Sequence, residues 1–271
     1  MYHYTDSAGL IGIFRKKELW ATDVRHLNDS SEFRHARSLL TDEMQRRLDD
    51  PRLDTRSAKN WSEILGEWRK DPPESESAVV SFSTEGNQLS QWRAYCPGGN
   101  GYSLGFSLRD LVFARRFSRA LLVGCVYEPL EQREVVCAVA DYIEQAWRRA
   151  ERLRGCRGWG FIGHIGRKVN AVMLAIKESG FKEENEWRLV VEPKGRGSLS
   201  FRTGRFGILP YCAVPLCEPS GRVQFTNLFI GPNLEPDTAR NAAHRFLDQH
   251  ADHRGPLSLD LIKDSKIPYR Y

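Results

Sequence analysis

The sequence has no long hydrophobic run. Its longest apolar stretch, 120–127, is far shorter than the roughly 20 residues that a transmembrane helix needs. The first residues contain neither the basic segment nor the apolar segment that together begin a secretory signal peptide. These absences argue against a membrane helix, and they lead us to expect a cytoplasmic protein with no membrane partner.

The sequence also lacks the local signatures of several common sites. Its six cysteines are scattered and form no CxxC pair, which is typical of free thiols in a reducing compartment. The histidines and aspartates at 244–253 match no compact zinc spacing, so we expect no metal. The chain has no Walker loop, and we expect neither the nucleophile elbow of hydrolases nor a dinucleotide-binding fingerprint, which argues against the enzyme classes that those motifs mark.

What is present is an ordinary globular composition over 271 residues, with 41% hydrophobic and 28% charged side chains. Short segments with period-two alternation mix irregularly with helical patterns and show no regular βαβ rhythm. We therefore predict an α+β fold with a mixed, mostly antiparallel sheet and flanking helices. The prediction is one domain over 1–271, with a helical insertion at about 31–73.

The net charge of +5 is concentrated in one stretch. Residues 109–168 contain 12 Lys and Arg against 7 Asp and Glu, so this stretch accounts for the whole excess. It includes the longest predicted helix, 133–154, whose end is rich in arginine and flanked by Trp147 and Trp159. Interleaved arginines and aromatics can contact nucleic acid, although a solvated helix face balanced by Glu144 and Glu151 explains the pattern equally well. The candidate nucleic-acid-binding residues are Arg148, Arg149, Arg152, Arg154 and Arg157.

Three predicted strands, 2–5, 78–83 and 186–192, each have one apolar or aromatic side and one polar side. The polar sides are formed by His3 and Thr5, by Ser81 and Ser83, and by Glu186 and Arg188. If the three strands were neighbours, these residues could line a polar cleft. Pattern alone favours the alternative that they face solvent, because antiparallel sheets alternate in the same way.

Several sequence blocks resemble a bacterial family of unknown function. They occur in that family's order and are His3-Tyr4-Thr5, Ser81-Phe82-Ser83, the segments 91–95 and 101–106, Glu186-Trp187-Arg188 and the segment 229–232. The match spans most of the chain.

A more distant resemblance is to the ADP-ribosyltransferase superfamily, including its DarT-like and poly(ADP-ribose) polymerase branches. Those enzymes place His on a first strand, Ser or an aromatic on a second and Glu on a later one, which matches His3, 81–83 and Glu186. The resemblance implies a split sheet and NAD as a substrate. It also implies a toxin or anti-phage effector that modifies nucleic acid or protein.

The resemblance implies a role for each matched residue. Glu186 would stabilise the positive charge that develops on the ribose when nicotinamide leaves, and His3 would hold a ribose hydroxyl. The remaining candidate cofactor-binding residues are Thr5, Ser81, Phe82, Ser83, Arg93, Tyr95 and Arg188. The sequence departs from the polymerase pattern at Tyr4, where that branch has Gly, and its stacking tyrosine has no clear match.

A different class of function fits the same residues. The chain could be a non-catalytic module of the same fold that binds a nucleotide, nucleic acid or protein. In that case Glu186 and Arg188 would form a structural ion pair, Ser81 and Ser83 would cap backbone groups, and the tryptophans would be core residues.

Overall fold

A computed structural model describes residues 1–27, 31–70, 77–96, 98, 101–112, 120–152, 159–193, 198–204, 207–218, 221–233, 235–250 and 259–268. The chain divides into two compact units. A sheet unit consists of residues 1–22, 78–124 and 182–271, and a helical unit consists of residues 23–77 and 125–181. Whether the two units fold as the single domain expected from the sequence stays a prediction.

Helices occur in both units. Their bounds are α1 Ser7–Lys16, α2 Ser31–Leu48, α3 Thr55–Arg69, α4 Leu89–Tyr95, α5 Pro129–Arg152, α6 Trp159–Met173 and α7 Pro236–His250. Short 3₁₀ turns lie at Val24–His26, Ser179–Glu184 and Leu259–Leu261. No helix within the described ranges is both long and apolar enough to cross a bilayer.

The strands form one mostly antiparallel sheet, so the predicted α+β class is confirmed. Their bounds are β1 Tyr2–Asp6, β2 Glu18–Asp23, β3 Ala78–Ser83, β4 Gly101–Gly105, β5 Leu121–Gly124, β6 Glu186–Val191, β7 Ser200–Gly204, β8 Gly207–Pro215, β9 Leu228–Ile230 and β10 Ile262–Asp264. The order is β10-β9-β4-β1-β3-β2-β8-β7, while β6 pairs with both β3 and β5. The β9–β10 pair is parallel.

Strand β3 has more neighbours than a strand has edges. It pairs with β6 along its whole length, from Ala78 opposite Val191 to Ser83 opposite Glu186. Strands β1 and β2 are also its neighbours. Since β6 occupies one edge, β1 and β2 share the other, and the register of β1 with β3 is limited to Tyr2 opposite Ser83. The two strands therefore separate as they leave β3, and α1 connects them.

Helix α1 is fixed at both ends. The Asp6 carboxylate accepts a hydrogen bond of 2.7 Å from the backbone N–H of Gly9, which makes Asp6 the N-cap. At the other end Lys17 adopts a left-handed conformation, with φ of 57°, and its N–H donates to the carbonyl of Ile13. The apolar side of the helix packs into the sheet core through Leu10, Ile13 and Phe14.

The core of the sheet unit lies on the face of the sheet that α1 covers. It includes Phe82 of β3, Leu104 of β4 and Leu189 of β6, all at most 2% exposed. A smaller apolar cluster lies elsewhere in this unit, where Tyr4 packs edge-to-face on Trp92 at 4.7 Å between ring centroids.

The helical unit has its own core, formed by α2, α3, α5 and α6. At its centre Trp61 and Trp147 meet edge-to-face, with ring centroids 4.7 Å apart. Near this core the Glu43 carboxylate accepts hydrogen bonds from Arg46 and Arg47, and these bonds lower the pKa of Glu43 to about 2. The helices of the predicted insertion thus pack with two helices from much later in the chain.

Most predicted elements are present, with shifted ends. Strand β3 has the predicted bounds, whereas the strand expected over 121–128 ends at Gly124. Helix α5 begins at Pro129 rather than Arg133, because proline is tolerated in the first turn, where its missing N–H has no helical partner. The last residues of the predicted helix, 153–154, lie outside the described part of the chain.

Replacing Trp61 with Ala tests the core of the helical unit. Trp61 is 1% exposed, so we expect its truncation to lower the free energy of unfolding by about 3–5 kcal/mol. Urea unfolding followed by circular dichroism measures the change. The control is Leu130→Ala in α5, where Leu130 is 78% exposed and where a change within about 0.5 kcal/mol is expected. Equal effects of the two substitutions would contradict the packing described.

Candidate functional site

The three strands that carry the candidate residues are neighbours. Strand β3 lies between β1 and β6, and Tyr2, Ser83 and Glu186 occupy paired positions in a row across the three strands. This row lies where β3 ends and where β1 and β6 begin. The sheet therefore supplies the adjacency that a site built from His3, 81–83 and Glu186 requires.

The register places these residues on two faces of the sheet. Ser81 is opposite Arg188 and Ser83 is opposite Glu186, so these four share one face. Phe82 faces the other way and packs in the core. His3 follows Tyr2 by one residue, and its ring lies beside Phe82, with centroids 5.8 Å apart. The pairing thus groups the serines with the ion pair and groups His3 with Phe82.

Glu186 and Arg188 form a buried ion pair. Arg188 donates from Nε to Oε1 and from Nη2 to Oε2 of Glu186, both at 3.0 Å, and each side chain is 4% exposed. This bidentate geometry orients the carboxylate and balances its charge. The solvent-facing alternative for β6 is therefore not observed: the polar side is buried, while Trp187 between the two residues is partly exposed.

The two serines differ in their surroundings. Ser83 is 2% exposed, and its Oγ accepts a hydrogen bond of 3.0 Å from the N–H of Glu85, so it caps the turn that follows β3. Ser81 is half-buried, and its backbone carbonyl lies 3.0 Å from Nδ1 of His3. Ser83 thus has the capping role that the structural alternative assigns to it.

His3 is held as a neutral imidazole of defined orientation. A carbonyl can only accept, so Nδ1 carries the proton that it donates to Ser81. Burial lowers the pKa of His3, and the positive charge of Arg202 lowers it further, although the hydrogen bond to Ser81 opposes both. In this neutral tautomer Nε2 is an acceptor, and it has no hydrogen-bond partner among the residues described.

The other candidate cofactor residues surround β1 and α4. The carbonyl of Thr5 accepts a weak hydrogen bond of 3.4 Å from the Cys96 thiol. Burial raises the pKa of that thiol to about 12, so Cys96 is a structural thiol rather than a nucleophile. In α4, Arg93 is exposed and Tyr95 packs against the cluster around Trp92.

The basic end of α5 is exposed but partly neutralised. Arg148 donates to the Glu144 carboxylate at 3.0 and 2.7 Å, and Arg152 donates to the carbonyl of Arg148. Arg149 is exposed. Trp147 packs in the core against Trp61, so it is not a surface platform for bases. The candidates Arg154 and Arg157 lie outside the described residues.

Sequence reasoning missed Arg202, which the structure places close enough to His3 to affect its pKa. Arg202 lies in β7, and its Nη2 donates to the Thr22 hydroxyl at 3.0 Å. The two residues are 180 positions apart, and only the strand order β2-β8-β7 brings them together. The period-two alternation of β2 and β7 was the available signal, but it does not show which strands are neighbours.

The comparisons with known proteins give one match. The family described as "Protein of unknown function (DUF2971)" matches residues 91–189. That segment includes Glu186 and Arg188 but excludes β1, β3 and β7. No curated protein and no solved structure shows a significant match to the chain.

The lowered pKa of His3 predicts a pH dependence of stability. The unfolded chain takes up a proton near pH 6.5, whereas the folded chain resists it. Below that pH the unfolded state binds more protons, so the free energy of unfolding falls as the pH is lowered from about 7 to 5. Urea unfolding of the wild type and of His3→Asn measures this. Asn can still donate to the Ser81 carbonyl but does not titrate, so the other histidines cancel in the comparison. Parallel curves would show that His3 is not desolvated.

Proposed function

We propose that the chain is an NAD-dependent ADP-ribosyltransferase. The observation that supports this proposal is the position of β3 between β1 and β6, which makes His3, 81–83 and Glu186 neighbours although their strands are distant in sequence. The order of these residue types along the chain resembles that of the superfamily. The acceptor would be nucleic acid or protein, as expected for a toxin or anti-phage effector.

The proposed reaction breaks the bond between nicotinamide and C1′ of its ribose. The bonding electron pair leaves with nicotinamide, and positive charge develops on the ribose as in glycoside cleavage. An acceptor nucleophile then bonds to C1′ and gives up its proton. A carboxylate held beside the ribose lowers the barrier because its negative charge is already in place. Glu186 is the candidate for this role.

The pairing of Glu186 with Arg188 is compatible with that role. A carboxylate has about four lone-pair sites, so a bidentate arginine does not by itself exhaust them. The pair also keeps the carboxylate oriented. Since Glu186 is 4% exposed, the ribose must approach along the end of the sheet, at the row that Glu186 forms with Tyr2 and Ser83.

His3 would act by binding rather than by proton transfer. Its Nδ1–H is engaged with Ser81, which leaves Nε2 as an acceptor for a ribose hydroxyl. Because His3 and Glu186 belong to different faces of the sheet, the substrate would have to pass around the strand ends to meet both. Phe82, which is buried in the core, is therefore less suited than an accessible aromatic to stack on nicotinamide.

Substitution of Glu186 by Gln tests the proposal. We expect the wild type to release nicotinamide from NAD and the variant to be slower by about 10²–10³-fold, since the charge on the carboxylate is lost while its size is kept. Chromatography of nicotinamide, with and without added nucleic acid or cell lysate, measures the rate. Melting curves are needed beside it, because breaking a buried pair costs about 3–5 kcal/mol.

Two controls separate catalysis from folding. Arg188→Gln breaks the same ion pair but keeps the carboxylate, and Glu131→Gln removes an exposed carboxylate in α5. If rates in Glu186→Gln and Arg188→Gln fall only in proportion to the unfolded fraction, Glu186 is structural and the assignment fails. No release by the wild type in any mixture would reject the transferase.

The second candidate is a non-catalytic binding module. The observation that favours it is the bidentate Glu186–Arg188 pair, because a buried and neutralised carboxylate also suits a purely structural role. In this case the exposed arginines of α5 would contact nucleic acid.

Replacing Arg148, Arg149 and Arg152 together with Gln tests the module. We expect weaker binding of labelled single-stranded DNA and RNA oligonucleotides, with a shallower salt dependence. Each lost phosphate contact lowers the slope of log K against log salt by about 0.7–0.9. Fluorescence anisotropy over a salt series measures it. The control is Arg52→Gln, an exposed arginine of the same unit. Equal slopes of log K against log salt for the wild type and the triple variant would show that this surface does not bind nucleic acid.

A further inference from the structure

A cluster of cations and aromatic rings lies on one face of β2, β8 and β7. Thr22 of β2 is opposite Tyr211 of β8, which is opposite Ser200 of β7. Trp20 lies two residues before Thr22 in β2, and Arg202 lies two residues after Ser200 in β7, so both share this face. Lys16, at the end of α1, places its Nζ 5.4 Å from the Trp20 ring centroid and 5.8 Å from that of Tyr211. We call these residues the Arg202 cluster: Lys16, Trp20, Thr22, Arg202 and Tyr211.

Arg202 is half-buried and has few hydrogen-bond partners within the described residues. Its Nη2 donates to the Thr22 hydroxyl at 3.0 Å, and its Cζ lies 5.6 Å from the centroid of the Trp20 ring. Its Nε is buried and has no hydrogen-bond partner within the described residues. No carboxylate of the described chain lies within 4.0 Å of the guanidinium. An unpaired buried donor of this kind costs free energy.

The nearby carboxylates are committed to other bonds. Asp6 caps α1 through Gly9, and Glu18 accepts a hydrogen bond of 3.0 Å from the Trp20 indole. Both lie close enough to influence Arg202 or Lys16, but neither forms an ion pair with Arg202. Lys16 donates to the Tyr211 hydroxyl at 3.2 Å. The cluster thus holds two cations beside hydrogen-bonded carboxylates, and its guanidinium keeps donors for a further acceptor.

The aromatic part of the cluster is closely packed. Gly12 of α1 lies against the Trp20 indole so closely that an added Cβ would be 2.4 Å from Cη2. The absence of a side chain at Gly12 therefore lets the ring lie directly on the helix. Trp20 and Tyr211 also contact each other, with ring centroids 5.3 Å apart. The guanidinium is thus presented beside a fixed aromatic surface.

We propose that the Arg202 cluster binds a phosphoryl group. The planar guanidinium offers paired N–H donors whose spacing matches two phosphate oxygens, Thr22 fixes its orientation, and Lys16 supplies a second positive charge. The partly exposed ring of Trp20 suits a ligand whose phosphate adjoins a base or a sugar. His3 lies close enough to Arg202 for the charge of Arg202 to lower its pKa. The assignment does not rest on the transfer reaction, although NAD is one molecule that carries such a group.

Isothermal titration with ADP, inorganic phosphate and adenosine tests the assignment on the full chain. We expect ADP to bind and Arg202→Gln to weaken it by about tenfold or more, since hydrogen bonds to a charged group are lost. Arg202→Lys keeps the positive charge but lacks the paired N–H donors of the guanidinium, so it should recover only part of the affinity. Arg245→Gln, an exposed arginine of α7 in the same unit, should leave the affinity unchanged. Phosphate competing with ADP, with no binding of adenosine, identifies the phosphoryl group as the recognised part.

A second variant keeps the test decisive if Arg202→Gln does not fold. Thr22→Val retains the guanidinium but removes the hydroxyl that orients it. We expect this variant to lower the affinity for ADP severalfold without abolishing binding. The inference is overturned if neither ADP nor phosphate binds, or if Arg202→Gln and Thr22→Val bind ADP as the wild type does. Binding of ADP through Arg202 without nicotinamide release would keep this site and reject the transferase. Nicotinamide release, together with ADP binding that Arg202→Gln does not change, would support the transferase and reject this site.

Discussion

The two edges of β3 determine the arrangement of the sheet unit. Because β6 occupies one edge completely, β1 and β2 must share the other, and they separate from each other after leaving it. His3 lies where this separation begins, and its side chain occupies a β3 carbonyl that would otherwise be available to a backbone N–H. The position of His3 follows from this sharing of one strand edge, and the position of Glu186 follows from the pairing of β6 along the other edge.

The Glu186–Arg188 pair allows two charges to be buried, but it also limits how a substrate can reach the carboxylate. Two charges that are each 4% exposed need each other, because either one alone would be costly to bury. The same pairing fixes the carboxylate and restricts access to it. A role in NAD cleavage therefore requires an approach along the strand ends. The Arg202 cluster differs, since its guanidinium is oriented by a neutral hydroxyl and retains its charge for an external partner.

Local patterns predicted the elements and the sides of the strands well. Alternation in 78–83 and 186–191 showed correctly that Ser81 shares a side with Ser83 and that Glu186 shares one with Arg188. It could not show which side is buried, because periodicity distinguishes two faces but not their environments. Alternation also could not show which distant strands pair with each other. That is why Arg202 was missed and why His3 and Glu186, expected at one cleft, lie on different faces.

The order of the segments along the chain has a consequence for folding. All residues of the helical unit precede position 182, so its core can form before the last third of the chain has been synthesised. The sheet unit has no such freedom, because β3 pairs with β6 and β2 pairs with β8 across more than a hundred intervening residues. Contacts this distant close slowly and leave strand edges exposed in the meantime. A nascent chain can therefore complete its helical core before its sheet, and the strand edges that stay unpaired in that interval are open to aggregation.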